Sequence, residues 1–312
     1  MTENAALDFV YGMAVSPAFP EDGCCFVART SGLFRSEDAG RTWTLGPGNL
    51  DPGAGLAVLA VAVSPAFGAD RMVFAGVAGG VLRSLDRGRN WEAIPLPSPP
   101  PVVSCLAVSP DFEQDGYLFA GTMEDGVFRS PDRGRSWHSW NFGLLDLRCL
   151  ALAASPGFAR DETLFVTTET ALYRSTNGGR AWRETGLPLE ASPALSLALS
   201  PAFPTDGVLF VGTDAGTLQR SRDRGRTWGA LGSGALDGSI NAVLLSPEYP
   251  HKQDVLVLCD DRLWLSRDDG ATWKPLEGEG ISAVAAPIGL GAGAFILAGM
   301  VEGGAARIPV ES

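Results

Sequence analysis

Short apolar runs of strand length recur along this chain, each closed by a polar turn. Leu106-Ala107-Val108 leads to Ser109-Pro110 and an acidic turn. Leu118-Phe119-Ala120-Gly121-Thr122 follows, and after a second turn comes Gly126-Val127-Phe128-Arg129. Runs this short, rich in β-branched and aromatic residues and bounded by Gly, Pro, Asp and Ser, predict β-strands. The same order returns six times: apolar run, Ser-Pro turn, second run, third run, and a polar hairpin ending in Trp, with a fourth short stretch after it.

The hairpin is the most regular part. It reads Ser-x-Asp-x-Gly-x-x-Trp, from Ser36, Asp38, Gly40 and Trp43 in the first copy to Ser266, Asp268, Gly270 and Trp273 in the sixth, with Asn177 in place of Asp in the fourth. Successive tryptophans (Trp43, Trp91, Trp137, Trp182, Trp228, Trp273) lie 48, 46, 45, 46 and 45 residues apart. Asp or Asn at such a position closes an Asx-type turn, Gly reaches a backbone region that other residues enter under strain, and Ser adds a local bond. A fixed period of this length with four strands per copy predicts a β-propeller. The segment after Trp273 aligns as a seventh copy: 281–287 supplies a first strand, 294–300 a second and 305–310 a third, with no box and no fourth strand. The expected fold is therefore all-β, a seven-bladed propeller of four-stranded blades with the box between third and fourth strands and a three-stranded last blade. The expected organisation is one domain over 1–312. Thr2–Leu7 is the stretch before the first run that could add to blade seven, whose open edge could also take a partner strand.

The bulk numbers fit. Gly (39) and Pro (22) suit many tight turns, and a 45% hydrophobic content supports a large core. The formal charge of −12 makes nucleic acid and anionic membranes poor partners. Cys24, Cys25, Cys105, Cys149 and Cys259 form no CxxC pair and sit in apolar runs, so they read as small buried hydrophobes; no metal or cofactor is expected. The uncharged stretch from Ile281 to Val301 is long enough to cross a bilayer, but Pro287 and four glycines interrupt it and the repeat places two strands there, so no anchor is expected. The first residues show no leader pattern, which with reduced cysteines points to the cytoplasm.

The boxes resemble the Asp-box, or bacterial-neuraminidase, repeat, and the resemblance covers nearly the whole chain. Proteins sharing it include sialidases, xyloglucanases, sortilin-type receptor domains and the photosystem II assembly factor; single-domain length is most similar to the last. The resemblance implies the fold and leaves function open. A sialidase-like site would need an arginine triad, a Tyr–Glu pair and an Asp acid. Ala306-Arg307-Ile308-Pro309 resembles that family's F/Y-R-I-P motif, but here it follows the last copy and lacks the aromatic residue. None of Tyr11, Tyr117, Tyr173 and Tyr249 is set beside a Glu in a long loop. A xyloglucanase-like cleft lies between two propellers, and the repeat predicts one. Only Trp140 and Trp264 are spare tryptophans, and His138 and His251 have no ligand-spaced neighbours. No catalytic residue is assigned. The expectation is a non-catalytic scaffold or assembly-factor-like protein whose partner is a protein or basic peptide; the alternative is a glycan-directed protein, either hydrolase or lectin.

Two partner surfaces follow from the register. The turns between second and third strands carry Glu124, Asp125, Glu169, Asp214, Asp260, Asp261 and Glu302, a ring of carboxylates that could dock a basic partner or stand as ordinary solvated turns. Trp140 and Phe142, in the connection after the third box, either form an apolar contact patch or fold back over their blade. The box face carries arginines, expected to pair with acids of the Ser-Pro loops such as Asp22, Asp115 and Asp206.

Overall fold

A computed structural model describes residues 8–46, 56–97, 99–189, 192–231 and 234–311; Thr2–Leu7 lies outside them. The strands form seven antiparallel sheets, six of four strands and one of three. Blade one runs Val10–Val15, Cys25–Arg29, Gly32–Ser36, Thr44–Leu45. Blade four runs Cys149–Ala154, Leu164–Thr168, Leu172–Ser175, Arg183–Glu184, and blade seven Ile281–Ala285, Phe295–Met300, Ala305–Pro309. The uncharged stretch 281–301 thus supplies two strands of blade seven. No helix among the described residues is long and apolar enough to cross a membrane.

First strands pack side by side around the centre, and that of blade seven meets that of blade one, closing the ring. Each first strand carries a bulge near its start, between Val10 and Gly12 in blade one and Ile281 and Ala283 in blade seven. Second strands of blades one to six are buried along their whole length, which is why they read as unbroken apolar runs.

Adjacent blades are joined by aromatic pairs. The Ser-Pro-x-Phe ring of one blade meets a second-strand Phe of the blade before: Phe26 with Phe67, Phe74 with Phe112, Phe119 with Phe158, Phe165 with Phe203 and Phe210 with Tyr249, all edge-to-face with centroids 5.4–6.1 Å apart. Such pairs contribute about 0.5–1.5 kcal/mol each beyond their buried area. Between blades six and seven the packing is aliphatic instead, with Leu256, Leu265, Leu290 and Ile296 in one cluster.

Candidate functional site

The box face is built from the Ser and Asp of each hairpin. In blade one the Ser36 hydroxyl accepts from Gly40 N (2.9 Å), and Asp38 Oδ1 accepts from Thr42 N (2.9 Å) while Oδ2 accepts from the Thr42 hydroxyl (2.7 Å). The Thr227 hydroxyl, with further donors, holds the Asp223 carboxyl at about 2, below its ordinary 3.8. Thr272 does the same for Asp268. Gly88 shows why the box glycine is fixed: its φ is +77°, and a Cβ there would meet Phe26 of the preceding blade at 2.7 Å. Each box is tied to its own Ser-Pro loop, as in Ala39 N to Gly23 O (2.9 Å), so boxes and Ser-Pro loops share one face.

The expected pairing of box arginines with loop acids holds at one of the three acids. Asp22 lies 3.8 Å from Arg87. Asp115 and Asp206 are instead held by the hydroxyls of Ser109 and Ser200, at 2.6 Å each. Arg133 and Arg224 donate to loop carbonyl oxygens, those of Glu113 and Pro204.

Sequence reasoning overlooked the arginine that precedes the box Ser at the end of the third strand in blades one to five. Arg35, Arg83, Arg129, Arg174 and Arg220 each donate Nη1 to the box carbonyl that precedes Gly in the next blade, at Arg87, Arg133, Gly178, Arg224 and Asp269, over 3.0–3.2 Å. The acceptor residue is in the left-handed region in every case, with φ of 60–68°. Arg307 stands at the same position in blade seven, but its guanidinium lies 3.8 Å over the Phe295 ring. Blade six has Leu265 there, and the blade after it has no box. The signal was available: Arg directly precedes the box Ser in five copies of six.

These arginines differ in what covers them. Glu37 lies 3.5 Å from Arg35, and Glu92 2.7 Å from Arg83. Arg129, 4% exposed, is stacked between Tyr117 (3.8 Å) and Trp140 (4.4 Å). Arg220 and Arg222 both contact Asp269, a buried carboxylate that also accepts the Tyr249 hydroxyl at 2.7 Å. Burial, with Asp269 adding to it, pushes the Tyr249 hydroxyl well above its usual range, so it stays a proton donor. Arg174 has no carboxylate within ion-pair reach among the described residues. It opens onto a cleft of about 420 Å³, lined also by Arg183, Glu184, Thr185, Arg224 and Arg226. Burial first, then the charges of Arg224 and Arg226, lower its pKa from the usual arginine value.

The other face carries the second-to-third-strand turns and the connections between blades. The sequence-assigned acids all lie there but are not equivalent. Glu124 and Glu302 are exposed. Asp125 accepts from Asn141 Nδ2 through its carbonyl, at 2.7 Å. Glu169 pairs with Arg148 at 3.0 Å. Asp214 accepts the Ser239 hydroxyl, Asp260 the Ser239 N–H and Asp261 the Gly280 N–H, at 2.7–2.9 Å, so these three cap the connections beside them. Trp140 and Phe142 part company. Trp140 folds back, its ring over Arg129 and Arg180 and its carbonyl accepting from Trp182 Nε1. Phe142 is 80% exposed, and Leu145 in the same connection 85%.

All five cysteines are free thiols, and burial pushes Cys24, Cys25 and Cys105 up to about 12, which keeps them protonated. His138 and His251 are exposed. Among the described residues no group of His, Cys, Asp and Glu is arranged to hold a metal ion.

Fold and box geometry together define a seven-bladed β-propeller with a hydrogen-bonded Ser-x-Asp/Asn-x-Gly hairpin in six blades. No family model and no curated protein matches the chain. Solved structures do. The extracellular domain of BT4673 from B. thetaiotaomicron is similar over 98% of this chain with a TM-score of 0.71 at 16% identity. The GH74 xyloglucanase from Xanthomonas campestris is similar over 98% with a TM-score of 0.72 at 20% identity. YCF48, in a structure bound to D1 peptide, is similar over 98% with a TM-score of 0.70 at 17% identity. This chain spans 39% of the BT4673 chain and 51% of the xyloglucanase, but 94% of YCF48. At these identities the likeness is one of fold.

Proposed function

We propose that this chain is a non-catalytic propeller that binds another protein, docking a segment with basic and apolar side chains at the connection between blades three and four. The observation that carries this is the pair Phe142 and Leu145, 80% and 85% exposed in the connection between blades three and four. Large apolar groups left that open add little to the fold, and a contiguous patch of them marks an interaction surface. Leu145 lines an open depression with Glu124, Asp146, Glu169 and Arg148, which pairs with Glu169, so apolar contact and a net negative charge lie together. Met123, 45% exposed, precedes Glu124 in the same turn. Basic side chains on the partner would be steered by that charge, and the apolar pair would anchor them. The structure of YCF48 with a peptide, on a chain of nearly the same extent, supports the reading. The fold likeness to xyloglucanases supports the alternative, a glycan-directed protein.

The test is a paired capture from the native host with wild-type protein and the Phe142→Ser/Leu145→Ser variant, followed by measuring affinity for the captured protein. We expect a partner held by wild type and released by the variant. Equal retention overturns this surface, and hydrolysis or binding in a screen of xyloglucan and sialosides favours the glycan reading.

A further inference from the structure

Blade four departs from its neighbours where Arg174 meets its fourth strand. In the sheet register Arg174 lies directly opposite Arg183. The same position is Thr44 in blade one, Glu92 in blade two, His138 in blade three and Gly229 in blade five. Like charges set opposite one another across strands are destabilising. In blade two the opposite residue neutralises the arginine; in blade four it doubles the charge. The next blade adds Arg224 and Arg226 to the same cleft. Arg224 is anchored outward on Pro204 O, while Arg183 and Arg226 are exposed. The cleft's one described acid is Glu184.

A second observation is independent of charge. Thr185 Oγ1, buried at this cleft, has no hydrogen-bond partner; Arg174 Nε has none either, as in its counterparts Arg83 and Arg129. A buried donor left unmade costs about 1–3 kcal/mol, more for a charged group. The Thr185 hydroxyl, which has no orphaned counterpart in the other blades among the described residues, finds a partner if an oxygen-rich anion enters. A carboxylate offers two oxygens, which one arginine fork satisfies; a phosphoryl dianion offers three, enough for several guanidiniums and a hydroxyl.

From these residues we infer that the cleft between the boxes of blades four and five is a binding site for a phosphoryl group, held by Arg174, Arg183, Arg226 and Thr185. The site uses none of the side chains of the protein-docking surface, although Phe142 O accepts from Trp182 N just before Arg183, so either can stand without the other. A net charge of −12 disfavours long polyanions, but over one phosphoryl group the local arginines dominate. The volume of about 420 Å³ exceeds what the group alone would fill, so a phosphomonoester of a small alcohol fits as well as the free ion.

Calorimetry with inorganic phosphate, glycerol phosphate and acetate, each at matched ionic strength, tests the site. We expect both phosphates to bind wild type, with the ester at least as tight as the free ion and acetate far weaker. Arg183→Ala/Arg226→Ala should weaken binding about tenfold or more. Arg41→Ala/Arg135→Ala, which removes exposed box arginines from blades one and three, should leave it unchanged, and Thr185→Val supplies a variant with no charge change that should also weaken it. Equal loss in both double variants, acetate binding as tightly as phosphate, or no heat beyond that of chloride each overturns the assignment. Binding of free phosphate with exclusion of the ester overturns the carried form.

Discussion

Blades four and five end their third strands with the same arginine, aimed at the same carbonyl of the following box, and resolve its charge in opposite ways. Arg220 meets Asp269, a carboxylate placed where other boxes carry Ala39, Arg87, Arg133, Gly178 or Arg224, and Tyr249 replaces the usual Phe to donate to it. Arg174 pairs with no carboxylate among the described residues and opens onto a cleft lined by Arg183, Arg224 and Arg226 with Glu184. One junction is a closed, satisfied network, while the other is an unsatisfied one. The difference teaches that a conserved-looking repeat position can serve packing in one blade and recognition in the next, depending on a single neighbour.

The closed junction should be the costlier to break. Asp269→Ala leaves Arg220 and the Tyr249 hydroxyl without their acceptor in a buried site, and breaking such a pair costs about 3–5 kcal/mol. Denaturant melts should show it, and a loss under about 1 kcal/mol would reduce the cluster to a surface pair.

Acid separates the blades next. The box carboxylates of Asp223 and Asp268 titrate at about 2 in the fold and near 3.8 when unfolded. Their folded values are depressed, so their stabilisation is complete above about 4 and fades as pH falls through about 2. Blade four has Asn177, which accepts from Ala181 N and does not titrate. Stability measured from pH 5 to pH 2 should therefore fall, and the slope should shrink in Asp223→Asn/Asp268→Asn; an unchanged slope would assign the acid sensitivity elsewhere.

The open junction can be closed by copying blade two. Arg183→Glu recreates the Arg83–Glu92 geometry and should raise stability by about 0.5–1 kcal/mol while abolishing the phosphate response. A variant that still binds phosphate would remove Arg183 from the site. Smallest of all, Phe142→Ser should leave stability within about 0.5 kcal/mol of wild type while partner affinity falls. A large loss of stability would make Phe142 a packing residue after all.

Blade number, strand order and the short seventh blade were legible in the sequence because each rests on local chemistry: box, Ser-Pro turn and apolar run are all contiguous. The candidate site was less so. The acids of the second-to-third-strand turns were visible as residues, but that Asp214, Asp260 and Asp261 cap neighbouring connections depends on contacts about 20 residues away or more. Trp140 and Phe142 are two residues apart, and nothing local says that one turns inward. The Arg174 cleft joins side chains from two blades, with the open position defined by what four other blades place there. Such a comparison needs the register, which single runs do not carry.

The alternation between Arg and Leu265 at the end of the third strand has a consequence for how the chain could be rearranged. Arg stands wherever the following blade has a box, including Arg307 ahead of blade one, and Leu265 stands before the one blade without it. The copies therefore obey an order, like words with required successors. Five of these arginines clasp the next box and Arg307 does not, so a shuffled gene that set blade two ahead of another boxed blade would keep a clasp that blade six in that place would lack.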